Sequence, residues 1–403
     1  MTQSAASPRL ALPEFIALMA MLFATIAFSI DAMLPALPEI AAELIPSDPN
    51  KAQLILTSFV LGMGLGMFFA GPLSDSYGRR GVILGGSVLY CVGAALAWAA
   101  PTLDLVLIGR LIQGLGAAGP RIVSVAMVRD LYSGRQMARI MSFAMMVFTL
   151  VPAVAPLVGA GIISVTGWRG IFGAFILFSA VSMVWLMLRQ PETLAPSARS
   201  PMRLAPLWAA LREVMGTRVA QLSTILQALL FAALFGTLSQ IQSLFDQTFG
   251  RADTFPLWFA GIALAAGSAS FFNAQLVVRL GMRRLVSLAL KAQVVASGSM
   301  TLLVLTGSVP DWAGFAVFMV WIVGVFLMVG FTLGNLNAIA MEPLGHIAGM
   351  AASVVAAVAT VAGVILAVPI GLAFDGTIGP LALGVAVLAA LALAVQTRMP
   401  PSR

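Results

Sequence analysis

Twelve long apolar runs constrain the fold of this chain more than any other feature of its sequence. A helix of about 20 apolar residues spans a bilayer core, whereas a strand of a membrane barrel is about 10 residues long and alternates in polarity. These runs do not alternate, and only 9% of the 403 residues are charged. The sequence therefore predicts an all-α membrane protein with twelve transmembrane helices. The predicted spans are residues 12–34, 53–73, 82–100, 105–127, 140–163, 170–188, 219–244, 256–278, 285–307, 312–339, 349–373 and 378–396.

The 22 Lys and Arg residues are distributed unevenly between the two sides of the predicted bundle. Three of them, Lys51, Arg169 and Arg251, lie in turns that follow odd-numbered spans. Three others, Arg110, Arg121 and Lys291, lie inside spans. The other sixteen lie on the opposite side, so the positive-inside rule predicts that both termini are cytoplasmic. The expected location is therefore the inner (cytoplasmic) membrane, with several crossings. Because the basic residues alternate with apolar runs and form no patch, no binding to nucleic acid is expected.

The longest break between apolar runs, residues 190–217, differs from the other turns in composition. It contains four prolines and several arginines, which predicts an extended cytoplasmic linker. Within it, residues 207–214 have the pattern of a short amphipathic helix.

Two turns repeat each other across this linker. Gly78-Arg79-Arg80 follows the second span, and Gly281-Met282-Arg283-Arg284 follows the eighth span, 203 residues later. A duplicated six-span unit explains the repeat. We therefore predict two six-helix halves, residues 1–189 and 218–403, joined by the linker at residues 190–217.

The turn between the second and third spans, residues 71–80, reads GPLSDSYGRR. An ordinary basic turn accounts for the two arginines but not for the spacing Gly-x-Leu-x-Asp-x-x-Gly-Arg-Arg. That spacing resembles the signature loop of the major facilitator superfamily, and it implies the major facilitator fold. The resemblance also implies a gating role, in which the loop latches the two halves together in one access state. The residues concerned are Gly71, Asp75, Gly78, Arg79 and Arg80.

Two arginines lie inside the fourth span, and their spacing places Arg110 and Arg121 on one helical face. An Arg at the centre of a span costs about 2.5–3.5 kcal/mol on insertion scales, so it should face a cavity or a counter-charge, or else snorkel. The segment Arg110-x-x-Gln113-Gly-x-Gly resembles the fourth-helix motif of the family, which implies proton coupling for Arg110 and Gln113. For Arg121, a role in the cavity and snorkelling toward the cytoplasm are both open.

Asp31 lies late in the first span, near the end of the bundle that also holds Arg110. A carboxylate inside a membrane needs a proton or a cation, so Asp31 is a candidate partner for Arg110. A carboxylate that alternates between the two is the minimal part of a proton-coupled cycle. The alternative is a solvated residue at the mouth of the helix.

The fifth span carries two prolines, Pro152 and Pro156, which predict a kinked helix. With Gly159, they resemble the fifth-span motif of facilitator-type exporters, although Ala155 and Ala160 replace two of its glycines. The resemblance implies export, and hence antiport.

Three further segments, residues 29–38, 128–134 and 342–349, resemble the Bcr/CflA group of drug exporters. The resemblance implies a drug exporter, but Ala32-Met33 departs from the pattern of that group, so the substrate does not carry over. A few charges in an otherwise apolar, Met-rich interior favour small lipophilic or cationic compounds. The predicted function is a proton-coupled antiporter that exports such compounds. Its expected partners are a small-molecule substrate, protons and the lipid bilayer, and the chain is expected to act as a monomer.

Two other functions remain open at the level of sequence. One is export or exchange of a specific metabolite, such as an amino acid or a nucleoside. The other is a membrane enzyme or receptor, which is disfavoured because the spans contain no Ser/Lys, His/Asp or HExxH arrangement. His346 and Cys91 are the only histidine and cysteine, so neither a metal site nor a cofactor is expected.

Overall fold

The computed structural model describes residues 10–202, 205–308 and 310–400. At Asp311 it describes the backbone only. Regular structure within these ranges is entirely helical. Twelve helices in these ranges have membrane-spanning length, and two shorter helices lie between them. The α-helices in chain order are α1 (Leu12–Asp31), α2 (Leu37–Leu44), α3 (Leu54–Tyr77), α4 (Arg79–Ala99), α5 (Leu103–Leu131), α6 (Gly134–Thr166), α7 (Arg169–Arg189), α8 (Ala205–Gly216), α9 (Arg218–Ser243), α10 (Phe255–Leu280), α11 (Met282–Thr306), α12 (Asp311–Met341), α13 (Ala348–Leu372) and α14 (Gly379–Gln396).

The number of crossings follows from the lengths of the apolar helical segments. Eleven such segments in the described ranges are long and apolar enough to cross a membrane, and the longest, Trp312–Leu372, has 61 residues. At about 1.5 Å per residue this segment is far too long for one crossing of a hydrocarbon core about 30 Å thick. It contains α12 and α13, which a 3₁₀ turn at Glu342–Ile347 separates. The described part of the chain thus makes twelve crossings, as the apolar runs predict.

Most helices are longer than the apolar runs that predict them. For example, α6 begins at Gly134, whereas the predicted span begins at residue 140. The difference arises because hydropathy marks only the part of a helix that contacts hydrocarbon, and a helix continues into the interfacial region. The short linker helix predicted near residues 207–214 is present as α8, whose Ala210 and Val214 are buried.

We refer to the side where α3, α5 and α7 end as the arginine-rich face and to the other side as the opposite face. The first six spans contact the second six along two seams, one between α3 and α13 and one between α6 and α10. At the opposite face, Asn50 Nδ2 donates hydrogen bonds to the carbonyl oxygens of Phe374 (2.7 Å) and Leu372 (3.2 Å). Nearer the arginine-rich face, a Cβ atom at Gly71 would lie 3.9 Å from Ser353 Oγ. The two halves therefore approach each other near both faces.

Glycines hold α5 close to the two helices beside it. A Cβ atom at Gly114 would collide with the carbonyl oxygen of Phe59 in α3, and one at Gly116 would collide with the backbone nitrogen of Tyr90 in α4. Small residues permit such close approach between membrane helices, where apolar burial alone gives little attraction. The close approach places the side chains of α5 among those of α3 and α4.

We expect Gly114→Ala to destabilise the protein, because the new methyl group has no space unless α3 and α5 separate. Overpacking of this kind costs about 1–3 kcal/mol. The measurement is the apparent melting temperature of the purified protein in detergent. The matched control is Gly85→Ala, since Gly85 is also in a helix but has no atom within 4 Å of its Cβ position. Equal melting temperatures for the two variants would contradict the packing described above.

Candidate functional site

Arg110 is fully buried in the first half of α5, and protein acceptors surround its guanidinium. Nε donates to the carbonyl oxygen of Ile55 (3.2 Å), Nη1 to Gln113 Oε1 (2.8 Å) and Nη2 to the carbonyl oxygen of Ser29 (2.9 Å). Its Cζ also lies 4.4 Å from the centroid of the Phe59 ring. Carbonyl dipoles and an aromatic face thus stabilise this charge without a carboxylate.

Asp31, the last residue of α1, lies two positions after Ser29 and is only 5% exposed. Its carboxylate makes no hydrogen bond, and no ion pair within 4.0 Å, with any residue that the structure describes. Arg110 reaches the end of α1 but contacts the Ser29 carbonyl, so the expected Asp31–Arg110 ion pair is not formed here. The last carbonyls of a helix lack intrahelical partners and carry the negative end of its dipole, which explains the contact with Ser29.

Tyr90 in α4 completes this cluster, although it is absent from the residues predicted from sequence. Its hydroxyl is buried and hydrogen-bonds Ser29 Oγ, which in turn donates to the carbonyl oxygen of Thr25 (2.6 Å). The sequence does carry a signal for Tyr90, because a tyrosine inside an apolar run usually has a hydrogen-bond partner for its hydroxyl when it is buried. Four helices (α1, α3, α4 and α5) therefore meet in one polar cluster around Arg110.

Arg121 differs from Arg110 although both lie on α5. The side chain is half-buried, and its guanidinium makes neither a hydrogen bond nor an ion pair with the described part of the chain. Its one charge-related contact in the described structure is with the ring of Phe148 in α6, 5.7 Å from Cζ to the centroid.

Residues 71–80, predicted as a turn, form the end of α3 and the start of α4, with only Gly78 between the two helices. This α3–α4 loop segment holds an ion-pair network centred on Arg79, which is 5% exposed. Arg79 pairs with Asp75 one helical turn earlier, and its Nε lies 2.9 Å from Asp130 Oδ2 at the end of α5. Its Nη1 also donates to Ser74 Oγ (2.8 Å). Gly78 has φ +96°, a backbone conformation that other residues rarely adopt, so a glycine is needed at this reversal.

The linker also makes hydrogen bonds to this loop, and these contacts are not predicted from the sequence. Glu192 accepts hydrogen bonds from the backbone nitrogens of Arg79 (2.9 Å) and Arg80 (3.1 Å), so its carboxylate caps the N-terminus of α4. The backbone nitrogen of Ser200 donates to the carbonyl oxygen of Asp75 (3.0 Å). The first part of the linker is thus docked on the loop that resembles a latch.

The proline-containing span is one continuous helix, α6, which includes both Pro152 and Pro156. Gly159 lies against the end of α1, where an added Cβ would collide with the carbonyl oxygen of Ala32. The structure therefore brings α6 next to Asp31, the residue that precedes Ala32.

A twelve-span helical bundle in two contacting halves, with charged side chains enclosed between its helices, is the architecture of a polytopic membrane protein. The sequence profile of the Major Facilitator Superfamily matches residues 17–368. The chain belongs to this superfamily. It is therefore a transporter and not an enzyme, as the sequence predicts.

The relatives and structural neighbours agree with this assignment. The chain is 30% identical over 350 residues to a bicyclomycin resistance protein homolog of Haemophilus influenzae, covering 84% of each chain. It is 33% identical over 171 residues to the multidrug resistance protein MdtL of Escherichia coli, covering 42% of this chain and 44% of that one.

Two solved structures share the fold at low sequence identity. A D-xylose-proton symporter superposes with a TM-score of 0.75 at 14% identity, covering 96% of this chain and 98% of that chain. The human organic anion transporter MFSD10 superposes with a TM-score of 0.63 at 20% identity, covering 96% of this chain and all of that chain.

We expect Glu192→Gln to loosen the linker from the loop. Each carboxylate oxygen of Glu192 accepts a hydrogen bond from a backbone N–H group of α4. In the variant, an amide nitrogen would take the place of one of these oxygens and could not accept that bond. A hydrogen bond to a charged group contributes about 1.5–3 kcal/mol. At about 1.4 kcal/mol for each factor of ten, the undocked population should rise about ten- to a hundredfold. The measurement is the rate of tryptic cleavage after Arg199 in the purified protein.

The matched control is Glu213→Gln, which makes the same change in α8, where Glu213 contacts His346 at the surface. Cleavage after Arg199 should be unchanged in this variant. Equal cleavage rates in the wild type and in Glu192→Gln would argue against docking of the linker through Glu192.

Proposed function

We propose that this transporter is a proton-coupled antiporter that exports small lipophilic compounds, drugs among them, across the cytoplasmic membrane. The observation that carries the proposal is the buried carboxylate of Asp31. It has no partner in the described structure, and it lies two residues from the carbonyl that Arg110 contacts. An acid enclosed without a cation favours its protonated form, whereas a guanidinium nearby favours the charged form.

These two influences give Asp31 two stable states. With a proton bound, the acid is neutral and Arg110 remains on the Ser29 carbonyl. Without the proton, the carboxylate draws Arg110 away from that carbonyl and competes with Ile55 and Gln113 for its N–H groups. Because those acceptors belong to α1, α3 and α5, loss or gain of one proton changes the packing of three helices.

The orientation that we propose places the arginine-rich face in the cytoplasm, following the positive-inside rule. Both termini are then cytoplasmic, and the Arg79 network with its docked linker lies on the cytoplasmic side. In this scheme the halves at residues 1–189 and 218–403 rock about a central site. The loop at residues 71–80 latches the first half in one of the two access states.

Between the lipophilic and the cationic compounds that the sequence suggests, the charges inside the spans favour the lipophilic ones. The interior holds the guanidinium groups of Arg110 and Arg121 against the one carboxylate of Asp31. An open groove of about 420 Å³ also lies on the seam between α6 and α10, and it is lined largely by apolar side chains such as Met145 and Met146. The resistance proteins named above as relatives support a drug as the substrate.

A proton gradient is sufficient to drive such export. One proton that moves down a potential of 100 mV releases about 2.3 kcal/mol. At about 1.4 kcal/mol for each factor of ten, this sustains a substrate gradient of about fifty-fold.

We expect Asp31→Asn to abolish the response of transport to a pH gradient, because an amide cannot exchange a proton. The assay is uptake of bicyclomycin and of lipophilic dyes into proteoliposomes with an acidic lumen. The wild type should accumulate a substrate when the gradient is imposed. The variant should accumulate at least tenfold less substrate than the wild type. It should still move the same compound down the concentration gradient of that compound.

The matched control is Asp104→Asn, since Asp104 is an exposed acid in the first turn of α5. It should keep the response of the wild type. Transport by the wild type that ignores every ion gradient would identify a facilitator, and full coupling in Asp31→Asn would remove Asp31 from the mechanism.

A further inference from the structure

Two guanidinium groups lie on one face of α5 in opposite situations. Arg121 follows Arg110 by eleven residues, which is three helical turns and about 16 Å along the axis. Arg110 is enclosed and donates to three protein acceptors. Arg121 has no acceptor among the described residues and contacts only an aromatic ring through its charge. The fold therefore satisfies one of these charges and leaves the other open.

The guanidinium of Arg121 stays at membrane depth, where it contacts Phe148. Helical side chains lean toward the N-terminus of their helix, and α5 begins at the opposite face. Phe148, which Arg121 contacts, lies 14 residues from the arginine-rich end of α6, whereas Arg121 lies ten residues from the arginine-rich end of α5. Its guanidinium therefore lies beside a ring that is well inside the bundle, and snorkelling does not explain this residue.

The described charges inside the spans do not neutralise Arg121. Asp31 is near the level of Arg110, at the other end of α5, where the Ser29 carbonyl meets Arg110. The remaining charge inside a span is Lys291, which is itself a cation and is exposed on α11. An ionisable group in this position marks a substrate pathway by default, and here the missing partner is an anion.

We propose that Arg121 binds the carboxylate, or a comparable oxyanion, of a transported substrate. A guanidinium presents two parallel N–H groups that fit a carboxylate in a bidentate pair. The contact with Phe148 still leaves in-plane N–H groups for a ligand, because a cation–π contact uses the face of the guanidinium. This inference rests on the proposed export function and defines its substrates as apolar compounds that carry an acidic group.

Two isosteric probes test the inference directly: naphthalene-2-carboxylate and naphthalene-2-carboxamide. They share an apolar ring and differ in the charge of the head group. Equilibrium binding to the purified protein in nanodiscs, without any gradient, gives a carboxylate-to-amide affinity ratio for each variant. We expect a ratio of at least ten for the wild type, a ratio near one for Arg121→Gln, and an intermediate ratio for Arg121→Lys.

The matched control is Lys291→Gln, which removes another positive charge from a span and should keep the ratio of the wild type. Unchanged binding of the carboxamide by Arg121→Gln would show that the variant is folded. The proposal is overturned if the wild type does not bind the carboxylate, if it binds both probes equally, or if Arg121→Gln keeps the preference.

These outcomes are separate from the test of proton coupling. Loss of the carboxylate preference, with proton-driven transport of neutral compounds intact, would remove the anion site and leave the antiporter. Retention of the preference without a response to pH gradients would keep the anion site and remove the antiporter.

Discussion

A guanidinium enclosed in a membrane bundle must be given acceptors, and the arrangement of the first six spans follows from this requirement at Arg110. Its three acceptors come from α1, α3 and α5, and Phe59 of α3 covers its face. The acceptors can reach it only because Gly114 lets α3 and α5 touch. The close packing of α3 and α5 at Gly114 therefore also brings hydrogen-bond acceptors to the buried charge of Arg110. A change in the packing or in the charge alters the surroundings of Asp31.

Hydropathy and the placement of arginines predict the spans well, because a helix in lipid needs apolar side chains along the whole length of its crossing. The partners of the polar residues are harder to predict. The spacing of Asp75 and Arg79 by one helical turn indicates contact between them. In contrast, nothing local connects Arg79 with Asp130, or Arg110 with a carbonyl of α1. Those contacts depend on how helices distant in sequence pack. The sequence therefore indicates Asp31 and Arg110 as a pair, whereas in the structure Arg110 donates to the Ser29 carbonyl.

The linker is the clearest case of a role that composition conceals. Its prolines and arginines are typical of an extended connector, yet Glu192 serves α4 as a helix cap. The connection is asymmetric, since these bonds attach the start of the linker to the first six spans alone. Movement of the second half must consequently be taken up in the later part of the linker, where α8 packs against α9 and α13.

The contact between Gly159 and the carbonyl of Ala32 has a consequence for how the substrate range of the proposed exporter can change. The helix that lines the seam groove with Met145 and Met146 also touches the backbone beside Asp31. Selection for a wider substrate range through substitutions in α6 therefore acts on the proposed proton carrier as well. Under the proposed proton-coupled export, strains selected in this way should differ in the external acidity at which they tolerate a drug, so that specificity and energy coupling evolve together.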